Sequence, residues 1–194
     1  METEARYEFR IWSKTLEEVK ERLLQLASSH DTGVSDEIYL ISAATDECNV
    51  KIRHGMIDIK HLIDADANLE RWKPVLKAKF PVKASVISDV IFPNLKLPCT
   101  QLSKTEYGKV ELLDDIMFSQ PKIAVVPVSK TRLQFTIDSC RAEFAAIVIK
   151  GFQQATVAVE DSNPHTVRQL IRELGINEAE NVSYIRQIKR ILGW

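Results

Sequence analysis

Six segments of this chain alternate charged and apolar side chains at a period of two, and they lie towards both ends of the sequence. The first is Arg6-Tyr7-Glu8-Phe9-Arg10-Ile11-Trp12. Drawn as a strand, it sends Arg6, Glu8 and Arg10 to one face and Tyr7, Phe9 and Ile11 to the other. The pattern returns in Cys48–His54, where Lys51 and Arg53 oppose Val50 and Ile52, and in Met56–Leu62, where Asp58 and Lys60 oppose Ile57 and Ile59. Gly55 supplies the tight turn between those two arms. It returns again in Ile123–Phe135 (Lys130 and Arg132 on one face), in Arg141–Ile149 (Arg141 and Glu143) and in Gln154–Glu160. One solvated strand face can hold any polar residue. A mixed-charge face repeated on six strands instead calls for a curved antiparallel sheet whose charged faces line a shared concave surface.

That lining has a chemistry of its own. Lys51, Arg53 and Lys60 face the same way on two arms of one hairpin. Like charges across a ladder repel unless an anion or interleaved carboxylates sit among them. Collected along the chain, the cations are Arg6, Arg10, Lys51, Arg53, Lys60, Lys130, Arg132 and Arg141, and the carboxylates are Glu8, Asp58, Glu143 and Glu160. Arginine and lysine neutralise phosphate oxygens, and a few carboxylates hold a divalent metal that bridges to phosphate. The competing reading is an open sheet whose polar face is salt-bridged surface.

Between the strands, Leu16, Val19, Leu23 and Leu26 form a helical stripe, with Ser13 or Thr15 as the cap and Glu18 in capping-box spacing after Thr15. Ser28 to Ser35 reads as a polar loop. Near the other end, Ser162 or Asn163 precedes Pro164 and a second stripe that stops at Gly175. A final helix is expected from about Val182 to Leu192. Asn68–Trp72 reads as a short helix or turn broken at Pro74, Lys83–Ile91 as helix or strand, and Lys109–Phe118 as weakly helical. Residues 63–120 are therefore expected to be inserted or connecting structure within a single domain spanning 1–194.

The net charge of −1 gives no field that would draw the protein to DNA or to an acidic membrane. No apolar run approaches the roughly 20 residues needed to span a bilayer. Cys48, Cys99 and Cys140 are odd in number and lack zinc-ligand spacing, so reduced thiols in a cytoplasmic protein are expected. No serine or cysteine nucleophile stands at motif spacing from a base, and His30, His54, His61 and His165 do not make a metal-ligand set.

Taken in order, these segments resemble the CYTH superfamily, the triphosphate tunnel metalloenzymes. Tyr7-Glu8-Phe9-Arg10 is similar to the family's opening ExExK. Val50-Lys51-Ile52-Arg53, Asp58-Ile59-Lys60, Lys130-Thr131-Arg132, Ala142-Glu143-Phe144 and Val159-Glu160 follow in the family's order, and Leu174-Gly175 and Ser183-Tyr184 also fit. The resemblance implies an α+β protein built on an antiparallel eight-stranded β-barrel with flanking helices. It implies that Arg10, Lys51, Arg53, Lys60, Lys130 and Arg132 contact phosphates, and that Glu8, Glu143 and Glu160 coordinate Mg²⁺ or Mn²⁺ and serve catalysis. Two positions depart from the pattern. The first acid of ExExK falls on Arg6, a further phosphate-facing cation, and a late ExE pair falls on Ala158 and Glu160. The implied activity is a metal-dependent phosphohydrolase acting on a triphosphate-containing small molecule or inorganic polyphosphate. A non-catalytic polyphosphate or nucleotide binder, and a cyclase acting on ATP, are the alternatives. The final helix and Trp194 admit either a covered tunnel mouth or a homodimer.

Overall fold

A computed structural model of the chain describes residues 4–66, 68–98 and 101–194, so Cys99 lies outside the described residues. Strand β1 (Arg6–Ser13) and helix α1 (Glu17–Leu26) lead into β2 (His30–Ser42), β3 (Cys48–Arg53), β4 (Met56–Asp66) and β5 (Leu69–Lys79). A helical section follows. Short strand β6 (Val82–Lys83) runs into α2 (Ala84–Val86), a π-helical turn at Ile87–Ile91 and α3 (Phe92–Asn94). Strand β7 (Glu106–Tyr107) precedes α4 (Lys109–Glu111) and a second π-helical turn at Leu112–Met117. Strands β8 (Ile123–Ile137), β9 (Cys140–Ile149) and β10 (Phe152–Asp161) and helices α5 (Pro164–Glu173) and α6 (Tyr184–Leu192) complete the chain.

Eight strands close into a barrel in the order β1-β10-β9-β8-β2-β3-β4-β5, and β6 pairs with β7 in a separate ribbon. The expected α+β antiparallel eight-stranded barrel with flanking helices is thus present. Two hairpins close on two-residue turns whose central residues are left-handed: His54-Gly55 between Arg53 and Met56, and Lys150-Gly151 between Ile149 and Phe152. Such turns match the right-handed twist of the strands they join.

The chain divides into two compact units. The described residues of the first fall within Met1–Asp36, Leu62–Lys73 and Val128–Ser183. Its core is the apolar face of β1, β8, β9 and β10, with Phe9, Ile11, Phe135, Phe144, Val157 and Val159 packed beneath Val19 and Leu23 of α1 and Val167 and Leu170 of α5. The second unit comprises Glu37–His61, Pro74–Pro127 and Tyr184–Trp194. There Val50, Ile52, Ile57 and Ile59 are covered by Ile87, Ile91, Phe92, Leu112 and Met117. In each unit the apolar half of the alternation is spent on a core. The charged half therefore falls on the opposite sheet face.

Four local readings are corrected. Asn68–Trp72 is the beginning of β5, because Arg6 and Glu8 pair with Trp72 and Glu70 and tertiary pairing outweighs the helix-forming preference of Leu, Glu and Arg. Residues up to Lys79 therefore belong to the barrel, and the helical section that covers the second core begins after them. The reading of Ser28–Ser35 as a loop fails from His30 onward, where β2 starts. Helix α1 is capped by neither Ser13 nor Thr15. Its N-cap position is Leu16, without a side-chain cap. Asn163 does cap α5, accepting a hydrogen bond from the His165 amide at 3.0 Å.

Candidate functional site

In the first unit, the ladders fix which charged residues share a level. Glu70 of β5 pairs with Glu8 of β1, Glu8 with Glu160 of β10, and Glu160 with Arg141 of β9. One step along, Arg10 pairs with Ala158, Ala158 with Glu143, and Glu143 with Gln134. The next level holds Trp12, Thr156, Ala145 and Arg132. Directly opposed residues point to the same face. Glu8, Glu70, Glu143 and Glu160 therefore share a face with Arg6, Arg10 and Arg132.

Arg10 is the hub of this face and is almost fully buried. Its Nε donates to Glu8 Oε1 at 2.9 Å, one terminal nitrogen lies 3.7 Å from Glu143 Oε1, and the same nitrogen donates to Thr156 Oγ1 at 3.4 Å. The reach to Glu143 spans two strands and crosses Ala158, whose methyl leaves room for it. Arg132 approaches the other Glu143 oxygen at 3.8 Å. Its side chain also passes Gly33 of β2, where an added Cβ would lie only 3.3 Å from Nε. Arg6 reaches Glu160 at 3.4 Å, and the more exposed Arg141 reaches the same oxygen at 3.8 Å. Trp72 Nε1 donates to Glu70 Oε2 at 3.1 Å. The backbone of β1 is anchored beyond its short ladder with β5. The Arg10 amide donates to Asn181 Oδ1 at 2.8 Å, and the Val182 amide donates to the Arg10 carbonyl at 2.8 Å.

In the second unit, β2, β3 and β4 form a separate cluster. Lys51 pairs with Tyr39 on one side and Asp58 on the other. The buried Glu37 of β2 sits 3.8 Å from Lys51 Nζ and 3.8 Å from Arg53. Asp58 accepts from Arg53 at 3.0 Å. Burial pushes the Lys51 ammonium below its ordinary value of 10.5, with Glu37 opposing that fall and Arg53 and Lys60 adding to it. The Tyr39 ring lies under Lys51 at 5.9 Å and stacks on Tyr184 of α6 at 5.3 Å. Helix α6 is tied to the β2–β3 turn, with Lys189 donating to the Thr45 carbonyl at 3.0 Å and bonding Asp46.

The alternation thus brings together Arg6, Glu8, Arg10, Arg132, Glu143 and Glu160 in one unit, and Lys51, Arg53 and Asp58 in the other, with Lys60 near enough to act on Lys51. Lys130 is buried opposite Ile147, two residues from Arg132 along β8. Two acids of these clusters escaped the sequence. Glu70 lay in a segment with helical preference. Glu37 shares its face with Tyr39, so no polar alternation marked it. Cys48 and Cys140 are free, and burial pushes both thiols up to about 12.

Known structures share this architecture. A conserved hypothetical protein from Pyrococcus furiosus superposes with a TM-score of 0.53 at 14% identity, over 94% of this chain and 98% of its own. The Hippeastrum adenylyl-cyclase-like protein with a dominant triphosphatase activity gives 0.52 at 9% identity, over 95% of each chain. The RNA triphosphatase domain of the mimivirus mRNA capping enzyme gives 0.53 at 11% identity, over 91% of each. The fold these structures share with the chain is the closed eight-stranded antiparallel barrel. At these identities the likeness establishes that fold and leaves the chemistry to the residues themselves. No protein-family model and no curated protein matches the sequence. No helix among the described residues is long and apolar enough to cross a membrane.

Among the described residues, no three Asp, Glu, His or Cys side chains converge into a metal shell of their own. A tunnel site does not require one. Mg²⁺ is usually held by one or two carboxylates together with substrate phosphates and waters. Glu8 and Glu160, directly opposed on neighbouring strands, fit that smaller demand.

Proposed function

We propose that this chain is a metal-dependent phosphohydrolase that binds a triphosphate-containing small molecule, or inorganic polyphosphate, on the charged face of its barrel. The observation that carries the reading is the level of Glu70, Glu8 and Glu160 set beside the level of Arg10 and Glu143, with Arg132 one level further and 3.8 Å from Glu143. Carboxylates and guanidiniums interleaved at adjacent strand positions suit a phosphate chain with a divalent cation.

In this reading Arg6, Arg10 and Arg132 offer the first unit's cations to phosphate oxygens, with Lys130 contributing charge from its buried position, and Lys51, Arg53 and Lys60 are the phosphate-binding cations of the second unit. Guanidinium pairs bind phosphate with two parallel hydrogen bonds and hold the chain in line for displacement. Glu8 and Glu160, with Glu143, would hold Mg²⁺ or Mn²⁺. Such an ion neutralises charge that develops on the transferred phosphoryl group and orients the attacking water. Arg10 and Arg132, 3.7 and 3.8 Å from its two oxygens, hold Glu143 in place, so that it can position that water.

A second reading is supported by Arg6 and Ala158, which stand where the family pattern has acids. With two acids fewer, the same face holds a triphosphate without turning it over. One experiment separates the readings. The protein is incubated with inorganic triphosphate, ATP and thiamine triphosphate in Mg²⁺ or Mn²⁺, and phosphate, pyrophosphate and cyclic AMP are measured. Phosphate release that is lost in Glu143→Gln is the expected result. Binding without turnover under either metal supports the binder, cyclic AMP with pyrophosphate identifies a cyclase, and absence of binding overturns the proposal.

A further inference from the structure

The cationic face of the second unit carries, besides Asp58, a second acid that the alternation did not mark. Glu37 is 1% exposed as a residue, and its carboxylate lies 3.8 Å from Lys51 and 3.8 Å from Arg53. Both cations belong to the alternation that faces the barrel's charged side. Asp58 already serves Arg53 at 3.0 Å, so Glu37 is a second anion held against the same pair. A carboxylate taken fully out of water is costly unless cations surround it, and the cations here give it that surrounding.

We propose that Glu37 is an internal counter-ion that competes with ligand phosphate for Lys51 and Arg53, and so sets the affinity and the number of phosphates this face accepts. The inference rests on the proposed triphosphate-binding function and assigns a specificity-determining role to a residue that no motif marks. A phosphate group arriving at Lys51 and Arg53 must share them with Glu37. Two anions at one cation pair repel at a distance where Coulomb energies in a partly screened site are several-fold above thermal energy. Without that carboxylate Lys51, and the part of Arg53 that Asp58 does not hold, are open to ligand, and a longer phosphate chain gains more than a shorter one. The Tyr39–Tyr184 stack beside Lys51 fixes the lysine stem, so the ammonium has little freedom to leave Glu37 for a ligand elsewhere.

The test measures binding of inorganic triphosphate and of pyrophosphate to the full chain by calorimetry, together with the melting temperature with and without each anion. For Glu37→Gln the expected result is triphosphate affinity roughly tenfold tighter or more, a smaller gain for pyrophosphate, and a ligand-induced rise in melting temperature larger than that of the wild type. A purely structural role for Glu37 would lower the melting temperature without enlarging that ligand-induced rise. If the wild type binds triphosphate and Glu37→Gln binds it no more tightly, the inference is overturned while the proposed function stands. If neither protein binds, the proposed function falls and the inference with it. Should Glu37→Gln fail to fold, Glu37→Asp withdraws the carboxylate by one methylene. Tighter triphosphate binding in that variant supports the competition, and unchanged or weaker binding overturns it.

Discussion

Replacing Arg10 by leucine tests how far the charged face is held together by that single side chain. Its guanidinium is 8% exposed and serves Glu8 at 2.9 Å and Glu143 at 3.7 Å, whose side chains are 15% and 19% exposed. Removing one partner of a buried ion pair costs about 3–5 kcal/mol, because the remaining charge is left uncompensated in a poorly solvated place. Two features reduce that figure. Both carboxylates keep some contact with solvent, and Arg132 still stands 3.8 Å from Glu143. The lost hydrogen bond to Thr156 adds little, since that hydroxyl also donates to the Ile11 carbonyl at 2.7 Å. The expected loss is therefore roughly 2–3 kcal/mol, which for a chain of this size lowers the melting temperature by about 5–10 °C.

Thermal unfolding followed by circular dichroism, in a buffer free of phosphate, reads this directly. The double variant Arg10→Leu, Glu8→Gln removes the stranded charge as well and should recover about half of the loss. A fall of less than about 2 °C in the single variant, or no recovery in the double one, would refute the idea that Arg10 neutralises a buried acidic level.

Lys51 makes the stability depend on pH in a defined direction. Its pKa in the folded chain is lowered from 10.5, so below the folded value both states are protonated and the folded state bears the burial cost in full. As pH rises through the folded value towards 10.5, the folded state sheds its proton first and stability gains. Melting temperatures of the wild type relative to Lys51→Met should climb across that window. Triphosphate bound beside Lys51 would favour the charged form, so binding in the same window should take up protons, seen as a buffer-dependent heat. Cys48 and Cys140, protonated and buried, should stay unlabelled by a thiol reagent at pH 8 in a Cys99→Ser protein until it unfolds. Leu23→Ala empties a fully buried site beneath α1 and should cost about 2–5 kcal/mol in denaturant unfolding.

The barrel was legible because its strands use a period of two for two purposes at once. Phe9, Ile11, Val50, Ile52, Ile57 and Ile59 all went to cores, and that alone placed Arg6, Glu8, Arg10, Lys51 and Arg53 on the other face. What stayed hidden was structure decided by partners distant in the chain. Leu69-Glu70-Arg71-Trp72 leans towards helix on its own and becomes a strand through pairing with Arg6 and Glu8. Glu37 shares its strand face with Ser35 and Tyr39, and the approach of β3 gives it cations. The cap expected at Ser13 or Thr15 failed because Ser13 Oγ accepts from the Thr15 amide at 3.4 Å, outside the helix. The last turn of β1 therefore holds the serine that the capping pattern had assigned to α1.

Arg6 and Ala158 look like two separate losses of acid when the sequence is scanned strand by strand. On the ladder they act on one charge balance. Ala158 stands between Arg10 and Glu143, so its small side chain lets one guanidinium serve acids on β1 and β9 together. A glutamate at 158 would sit directly opposite Arg10 and intercept it, leaving Glu143 to Arg132 alone. Arg6, one level away, takes up Glu160, the surviving acid of that pair. Each of these carboxylates therefore lies against a guanidinium: Glu8 against Arg10 of its own strand, Glu143 between Arg10 and Arg132, and Glu160 against Arg6. An acid at position 6 alone would put a fourth carboxylate beside Glu8, Glu70 and Glu160 and leave Glu160 to the more exposed Arg141. Like charges gathered there are unfavourable without a bound cation. The cationic residue at position 6 and the small one at position 158 are best understood as a coupled pair, and a change in the acid count of this face has to alter both.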